Sequence, residues 1–335
     1  MKETLLNHLA CPSCAGAINL TSINERAGTE IIDGELSCAG CARSFRVRGG
    51  VPRFVEHETI EREKAHTAEN FGWQWQHFTQ QDERYAAQFL GWVGPVEPEF
   101  FRDKLILEGG CGKGRHTLLA AEWGAREIVG VDLSDAVETA FAATRHLPGA
   151  HVIQADIYQL PLKRVFDYAF SVGVLHHLPD PRGGFLSLAG KVRPGGHLSA
   201  WVYGAENNEW ITRFVNPLRE RVTSRLDQRK LLHLSKLPTA LVFAATKLLY
   251  GPLNRRGPRG KTLARRLFYN DYLSAIADFG WREQHTIVFD HLVAPTAFYV
   301  AREEFAAWWR EVGAEDVTIN WHNSNSWRGF GRLPG

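Results

Sequence analysis

Four of the five cysteines fall in two matched pairs, Cys11-Pro-Ser-Cys14 and Cys38-Ala-Gly-Cys41, with twenty-three residues between them. Each C-x-x-C can form a tight knuckle that aims two thiolates at one point. Two facing knuckles supply the four soft ligands that zinc takes in a tetrahedron. Cys11, Cys14, Cys38 and Cys41 would fill every position, so the metal would be structural and not catalytic. Redox pairs or unpaired thiols are the competing reading. Residues 1–10 lack the continuous apolar core of a secretory signal, so a reducing, cytoplasmic setting is expected and disulfides are not the first reading. Short strands are expected at 17–23, 30–37 and 45–47. A module of this size, 1–58, holds little core, and a metal would staple it.

A second constellation is the run Glu108-Gly109-Gly110-Cys111-Gly112-Lys113-Gly114. It follows an apolar strand expected at 104–107 and precedes a helix expected at 115–123. Glycines permit a tight turn and close backbone approach to a ligand. The spacing differs from the G-x-G-x-x-G of nicotinamide enzymes. Asp132 follows Gly110 by twenty-two residues, at the end of a second strand at 127–132, where an acid can accept from both ribose hydroxyls. Glu108 at the loop entrance would repel a pyrophosphate but not a sulfonium cofactor bearing an amino group. Cys111 reads as a small buried residue. Further strands are expected at 151–156, 166–171 and 197–203, and a helix at 134–146. Such alternation argues for a mostly parallel α/β sheet covered on both faces.

Two candidates for a general base emerge. His176 and His177 follow the fourth strand, at the sheet edge where such folds bind ligands, and histidine titrates near neutrality. At least one of them reads as structural. The Asp290-His291 pair is the other candidate, with a polar loop as its plain alternative.

From Leu105 to Gly204, the runs LILEGGCGKGRHT, VGVDLS, IQADIYQLPL, FDYAFSVGVLHHLPDP and VRPGGHLSAWVYG resemble the successive motifs of class I, type 11-like, S-adenosylmethionine-dependent methyltransferases. The resemblance implies a Rossmann-like seven-stranded α/β fold and S-adenosylmethionine as cofactor. It implies that Glu108 and the backbone of Gly110, Cys111 and Gly112 contact the methionine portion. Asp132, with Leu133 beside it, would hold the ribose. Asp156 would bind the adenine amino group, with Ile157 packing nearby, and Ser171 to Gly173 would line the cofactor beside the methyl group. The first fifty-five residues, from HLACPSCAG to GGVPRF, resemble the small zinc-ribbon proteins that accompany or activate methyltransferases. The run AREEFAAWWREVGAEDVTI resembles the final helix and strand of small-molecule methyltransferases.

The positioning elements then divide into a zinc ribbon over 1–58, a helical connector and cofactor lid over 59–103, and a methyltransferase domain over 104–335. The connector is polar and charged over 56–69. Its aromatic run, Phe71, Trp73, Trp75 and Phe78, can serve as a lid or as an apolar clamp between domains. A helical insertion is expected at about 205–295, with helices over 208–229, 238–250 and 270–279 and a Gly/Pro/Arg-rich turn at 251–261. A helix at 302–312 and a strand at 317–321 would close the fold.

Between Trp210 and Tyr269 fourteen Lys or Arg face two acids, an excess of +12 in a chain of net charge +2. Such a block suits an anionic or amphiphilic small-molecule acceptor, a membrane surface contacted from outside, or nucleic acid. A solvated helical surface, a dimer contact or a cover for the core are the plainer readings. The leading functional expectation is methyl transfer to a small-molecule acceptor, anionic or lipid-linked. RNA (rRNA or tRNA) methylation is the alternative, and a non-catalytic scaffold with this fold is a third. The sequence leaves the acceptor atom and the oligomeric state open.

Overall fold

Eleven strands join in one continuous sheet in a computed structural model that describes residues 1–55, 61–80 and 82–335. The N-terminal segment contributes β1 (Ile18–Ala27), β2 (Glu30–Cys38), β3 (Ser44–Arg48) and β4 (Val51–Arg53), an antiparallel meander. The α/β part contributes β5 (Leu105–Gly109), β6 (Glu127–Asp132), β7 (Ala150–Gln154), β8 (Phe166–Val172), β9 (Val192–Tyr203), β10 (Glu315–His322) and β11 (Ser326–Arg332). Across the sheet the order is β1-β2-β3-β4-β7-β6-β5-β8-β9-β11-β10. The five strands from β7 to β9 run parallel, and β11 lies antiparallel between β9 and β10. Together these seven make the Rossmann-like unit, and every residue of β5 and β7 is buried, as strands covered on both faces must be.

The ribbon does not stand apart as a separate bead. Its strand β4 pairs parallel with the edge strand β7 through Arg53 and Gln154, and Phe54 N donates to Gln154 O at 2.8 Å. Leu9, Ile31, Leu36, Val47 and Phe54 belong to the same packed cluster as Leu107, Val131 and Ile153. An exposed edge of the parallel sheet is thus covered by another module of the same chain. The expected boundary at 58/59, and the polar start of the connector, fall on residues outside those described.

Several elements depart from the sequence expectation, and the helix expected over 208–229 is broken into short helical segments. The strand β11 carries Gly329 and Gly331, which weaken a strand reading. Here the glycines make room for Trp309 of the helix Arg302–Glu311: a Cβ on Gly329 would lie 2.6 Å from the indole. The region 251–261 is not a turn but two short helices, Gly251–Arg255 and Gly257–Ala264, with Pro252 and Pro258 in their first turns, where the missing N–H costs nothing. A further helix, Trp281–Val293, places Asp290 and His291 on regular structure and not in a loop.

Candidate functional site

At the C-terminal ends of the parallel strands lies a cavity of about 560 Å³. The loop after β5 forms its floor. Gly110 adopts φ +81°, and a Cβ there would sit 2.2 Å from Val174, so the turn admits only glycine. Gly110, Cys111, Gly112, Asp132, Leu133, Asp156, Ile157 and Gly173 all line the cavity. Asp132 Oδ2 accepts from Gly112 N at 2.8 Å, and its Oδ1 accepts from Ser134 N at 2.9 Å and Ser134 Oγ at 2.6 Å. These bonds fix the carboxylate while leaving acceptor capacity toward the cavity, since a carboxylate offers about four lone-pair sites. Burial raises its pKa. A glycine floor that no side chain can fill, with an acid at the tip of the next strand, fits a nucleoside cofactor.

Two assignments made from the sequence do not match the geometry. Glu108 is buried beneath the loop and does not line the cavity: its carboxyl meets His116 Nδ1 at 3.0 Å and accepts from Thr117 Oγ1 at 2.5 Å. Burial pushes it up to about 8. It braces the strand-to-helix turn, and its carboxyl does not face the cavity. Ser171 is likewise turned away, donating from Oγ to Gly109 O at 2.8 Å. Sequence reasoning missed both because the partners come from the following helix and the neighbouring strand.

The connector helix Arg62–His77 covers the cavity with Lys64, Thr67, Ala68, Phe71 and Trp75. Lys64 Nζ lies 2.6 Å from Asp156 Oδ2, so an adenine amino group approaching Asp156 would compete with this lysine. The other aromatics of this stretch point away: Trp73 packs on Phe289, and Phe78, just past the helix end, joins Leu231 and Val293 in a cluster with the insertion. One helix therefore faces both the cavity and the insertion.

Of the four base candidates, His177, Asp290 and His291 line the cavity and His176 does not. His176 stacks on Tyr203 with 3.8 Å between ring centroids and is fully buried. His177 Nδ1 donates to Thr296 O at 2.7 Å, and burial holds its pKa at about 3, so the ring is neutral with Nε2 as an acceptor. Asp290 Oδ1 accepts from Gln74 Nε2 at 3.0 Å, and burial lifts it to about 6. His291, held at about 4 by burial and then by the cation of Arg219, lies 3.2 Å from the Tyr272 hydroxyl. Tyr203 and Tyr272 also face this chamber, and Gln74, Tyr272 and Arg219 carried no signal in the sequence.

Outside the cavity lining, the sulfurs of Cys11, Cys14, Cys38 and Cys41 all lie within 4.8 Å of one another. Cys11–Cys41 are 3.6 Å apart and Cys14–Cys38 3.4 Å. A tetrahedron with zinc–sulfur bonds of about 2.3 Å needs sulfurs about 3.8 Å apart, so the four thiols fit zinc.

Comparison with known proteins follows this division. Residues 107–200 match the methyltransferase domain family and residues 2–50 the Trm112p-like protein family. The tRNA U34 carboxymethyltransferase of Pseudoalteromonas atlantica is 34% identical over 119 residues, covering 34% of this chain and 37% of that one. Its counterpart from Cellvibrio japonicus is 37% identical over 102 residues, covering 29% and 32%. The chain thus spans about a third of the length of these curated relatives. Among solved structures, a complex containing the Haloferax volcanii Trm112 methyltransferase activator gives a TM-score of 0.43 at 14% identity, covering 75% of this chain and 90% of the other. Residues 2–50 are thus similar to the Trm112p-like protein family and residues 107–200 to the methyltransferase domain family, with the connector between the two matches.

Proposed function

We propose that this chain transfers the methyl group of S-adenosylmethionine to an acceptor admitted to the cavity. The observation that carries this is the glycine floor of Gly110 and Gly112 beside Asp132, within a segment matching the methyltransferase domain family. The cofactor supplies the methyl group as an electrophile when bound; the residues supply position and a path for the proton. Asp132 and the loop backbone hold the nucleoside end. Lys64 and Trp75 on the connector helix close over it and exclude water. The acceptor sits in the chamber of Tyr203, Tyr272, Asp290 and His291. An acceptor O–H or N–H gives up its proton there, and Asp290, whose pKa of about 6 leaves it largely ionised at neutral pH, receives it. Gln74 holds the Asp290 carboxylate in place.

For the acceptor, RNA has more support from the comparisons than a small molecule does, because the relatives are named for tRNA. An anionic, amphiphilic small molecule is the second reading, favoured by the aromatic lining of the chamber. The test begins with calorimetric titration of S-adenosylmethionine into the purified chain, where no binding would overturn the proposal. Labelled cofactor is then offered with bulk tRNA and, separately, with a lipid and small-molecule extract. Label in tRNA selects the first acceptor class, and label in the extract selects the second.

A further inference from the structure

One helix of the insertion is turned inside out. On the helix Lys236–Ala245, the fully buried residue is Thr239, flanked along the chain by the buried Ser235 and Thr246. These inward residues are polar and bonded: Ser235 Oγ lies 2.8 Å from His285 Nε2, and Thr246 Oγ1 donates to Gln284 Oε1 at 3.0 Å. The leucines face the other way. Leu237 and Leu241 stand one turn apart, Leu234 precedes them and Leu248 follows, and these four are between 61% and 79% exposed. An ordinary surface helix does the reverse, with its apolar stripe on the core. Phe214, Leu218, Val222, Leu263 and Phe268 are also exposed, on neighbouring parts of the same insertion.

Exposed cations are interleaved with these residues along the chain. Twelve of the fourteen Lys and Arg between Trp210 and Tyr269 are exposed. Among the described residues, Arg255, paired with Asp278, is the one of them with a carboxylate partner. Exposed apolar patches on soluble proteins mark interaction sites. We propose that this face docks on an anionic membrane surface, with the leucines entering the headgroup–acyl boundary and the arginines and lysines meeting lipid phosphates. Three observations select this occupant. A second copy would set one strongly basic segment against another, which repels. RNA would use the cations, and Phe214 or Phe268 could stack bases, but the four leucines offer RNA nothing. Among the described residues no helix is long and apolar enough to cross a membrane, so the contact lies in the surface plane. The inner side of the same insertion walls the cavity through Tyr272, Glu283 and Asp290. Docking would therefore hold the acceptor chamber close to the bilayer.

The test needs no acceptor and no turnover. The full chain is sedimented with phosphatidylcholine vesicles, with and without 30 mol% (roughly physiological for an anionic leaflet) phosphatidylglycerol. Binding to the anionic vesicles is expected, with at least a tenfold preference over the neutral ones. The triple variant Leu237→Gln, Leu241→Gln, Leu248→Gln should lose at least tenfold in vesicle affinity. Its cofactor affinity and melting temperature should be unchanged, because these side chains are already in water. A second variant, Arg265→Gln with Arg266→Gln, should weaken binding less and flatten its salt dependence. Vesicle binding that ignores the leucine substitutions, or tRNA binding with none to vesicles, overturns the proposal.

Discussion

The ribbon and the helical insertion are both additions to one α/β unit, and they treat their apolar residues in opposite ways. The ribbon turns Leu9, Ile31, Leu36 and Val47 into the cluster that also holds Leu107 and Val131, and it extends the sheet through β4. The insertion buries Leu231, Phe289 and Val293, but around its helix Lys236–Ala245 it keeps Ser235, Thr239 and Thr246 inside and leaves Leu234, Leu237, Leu241 and Leu248 in water. The first addition is spent on stability. The second carries apolar surface that stability does not use, which is the mark of a surface kept for something else.

The largest expected effect tests the ribbon's half of this contrast. Cys38→Ser with Cys41→Ser removes two of the four thiols. Structural zinc in small modules contributes an apparent ~10–16 kcal/mol, and this module shares its core with the α/β unit. The variant should lose zinc by elemental analysis and unfold by calorimetry at a temperature at least ~10 °C lower, a several-kcal/mol loss. A protein purified without zinc, whose melting ignores both chelator and substitution, would remove the metal from the account. Next comes Leu36→Ala. The side chain is fully buried, and the cavity left should cost about 2–5 kcal/mol in urea unfolding. A cost under about 1 kcal/mol would mean that the ribbon is only loosely attached.

How much of this was legible in the sequence follows from distance along the chain. The cysteine knuckles, the Gly110–Gly112 turn and Asp132 are local patterns: spacing alone brings them together, and the fold places Asp132 against Gly112 N. The roles of Glu108 and Ser171 were not legible, because each is decided by a partner that no spacing rule names. The strand β11 was hidden by glycines whose purpose is to admit Trp309 from another element. The inverted helix was hidden too. A run such as LPTALVFAATKLLY announces apolar residues but not which side the rest of the molecule will occupy. Composition shows that a face exists, and only packing shows that it is left bare.

Two intermediate predictions probe the cavity between the additions. Asp290 is raised from 3.8 to about 6, mainly by burial. A raised folded pKa gives a contribution that is present below the unfolded pKa and lost as pH rises through the folded one. Asp290→Asn keeps an acceptor for Gln74 and removes the charge. The variant should be more stable than the parent at pH 7, by about 1–2 kcal/mol after screening by solvent in the cavity. That advantage should shrink as pH falls from about 6 towards 4, as read from denaturant midpoints across pH. An advantage that is constant with pH would mean that the carboxyl titrates normally. Asp132→Ala should weaken S-adenosylmethionine at least tenfold, about 1.4 kcal/mol, by calorimetry. Unchanged affinity in a folded variant would remove the ribose contact.

The smallest expected effect sharpens the contrast most. Leu241 has the same side chain as Leu36 but is 68% exposed. Leu241→Ala deletes methyl groups that already meet water in the folded chain, so little transfer free energy and no cavity are at stake. Its stability should stay within about 0.5 kcal/mol of the parent, the usual range for surface positions. The helix itself should not object, since alanine is at least as good a helix former as leucine. The same urea titration that reports about 2–5 kcal/mol for Leu36→Ala should barely register this change. A loss approaching the buried value would mean that Leu241 is covered in solution, by a second copy or by another part of this chain. The leucines of the insertion would then be core after all, and their exposure would no longer distinguish this region from the ribbon.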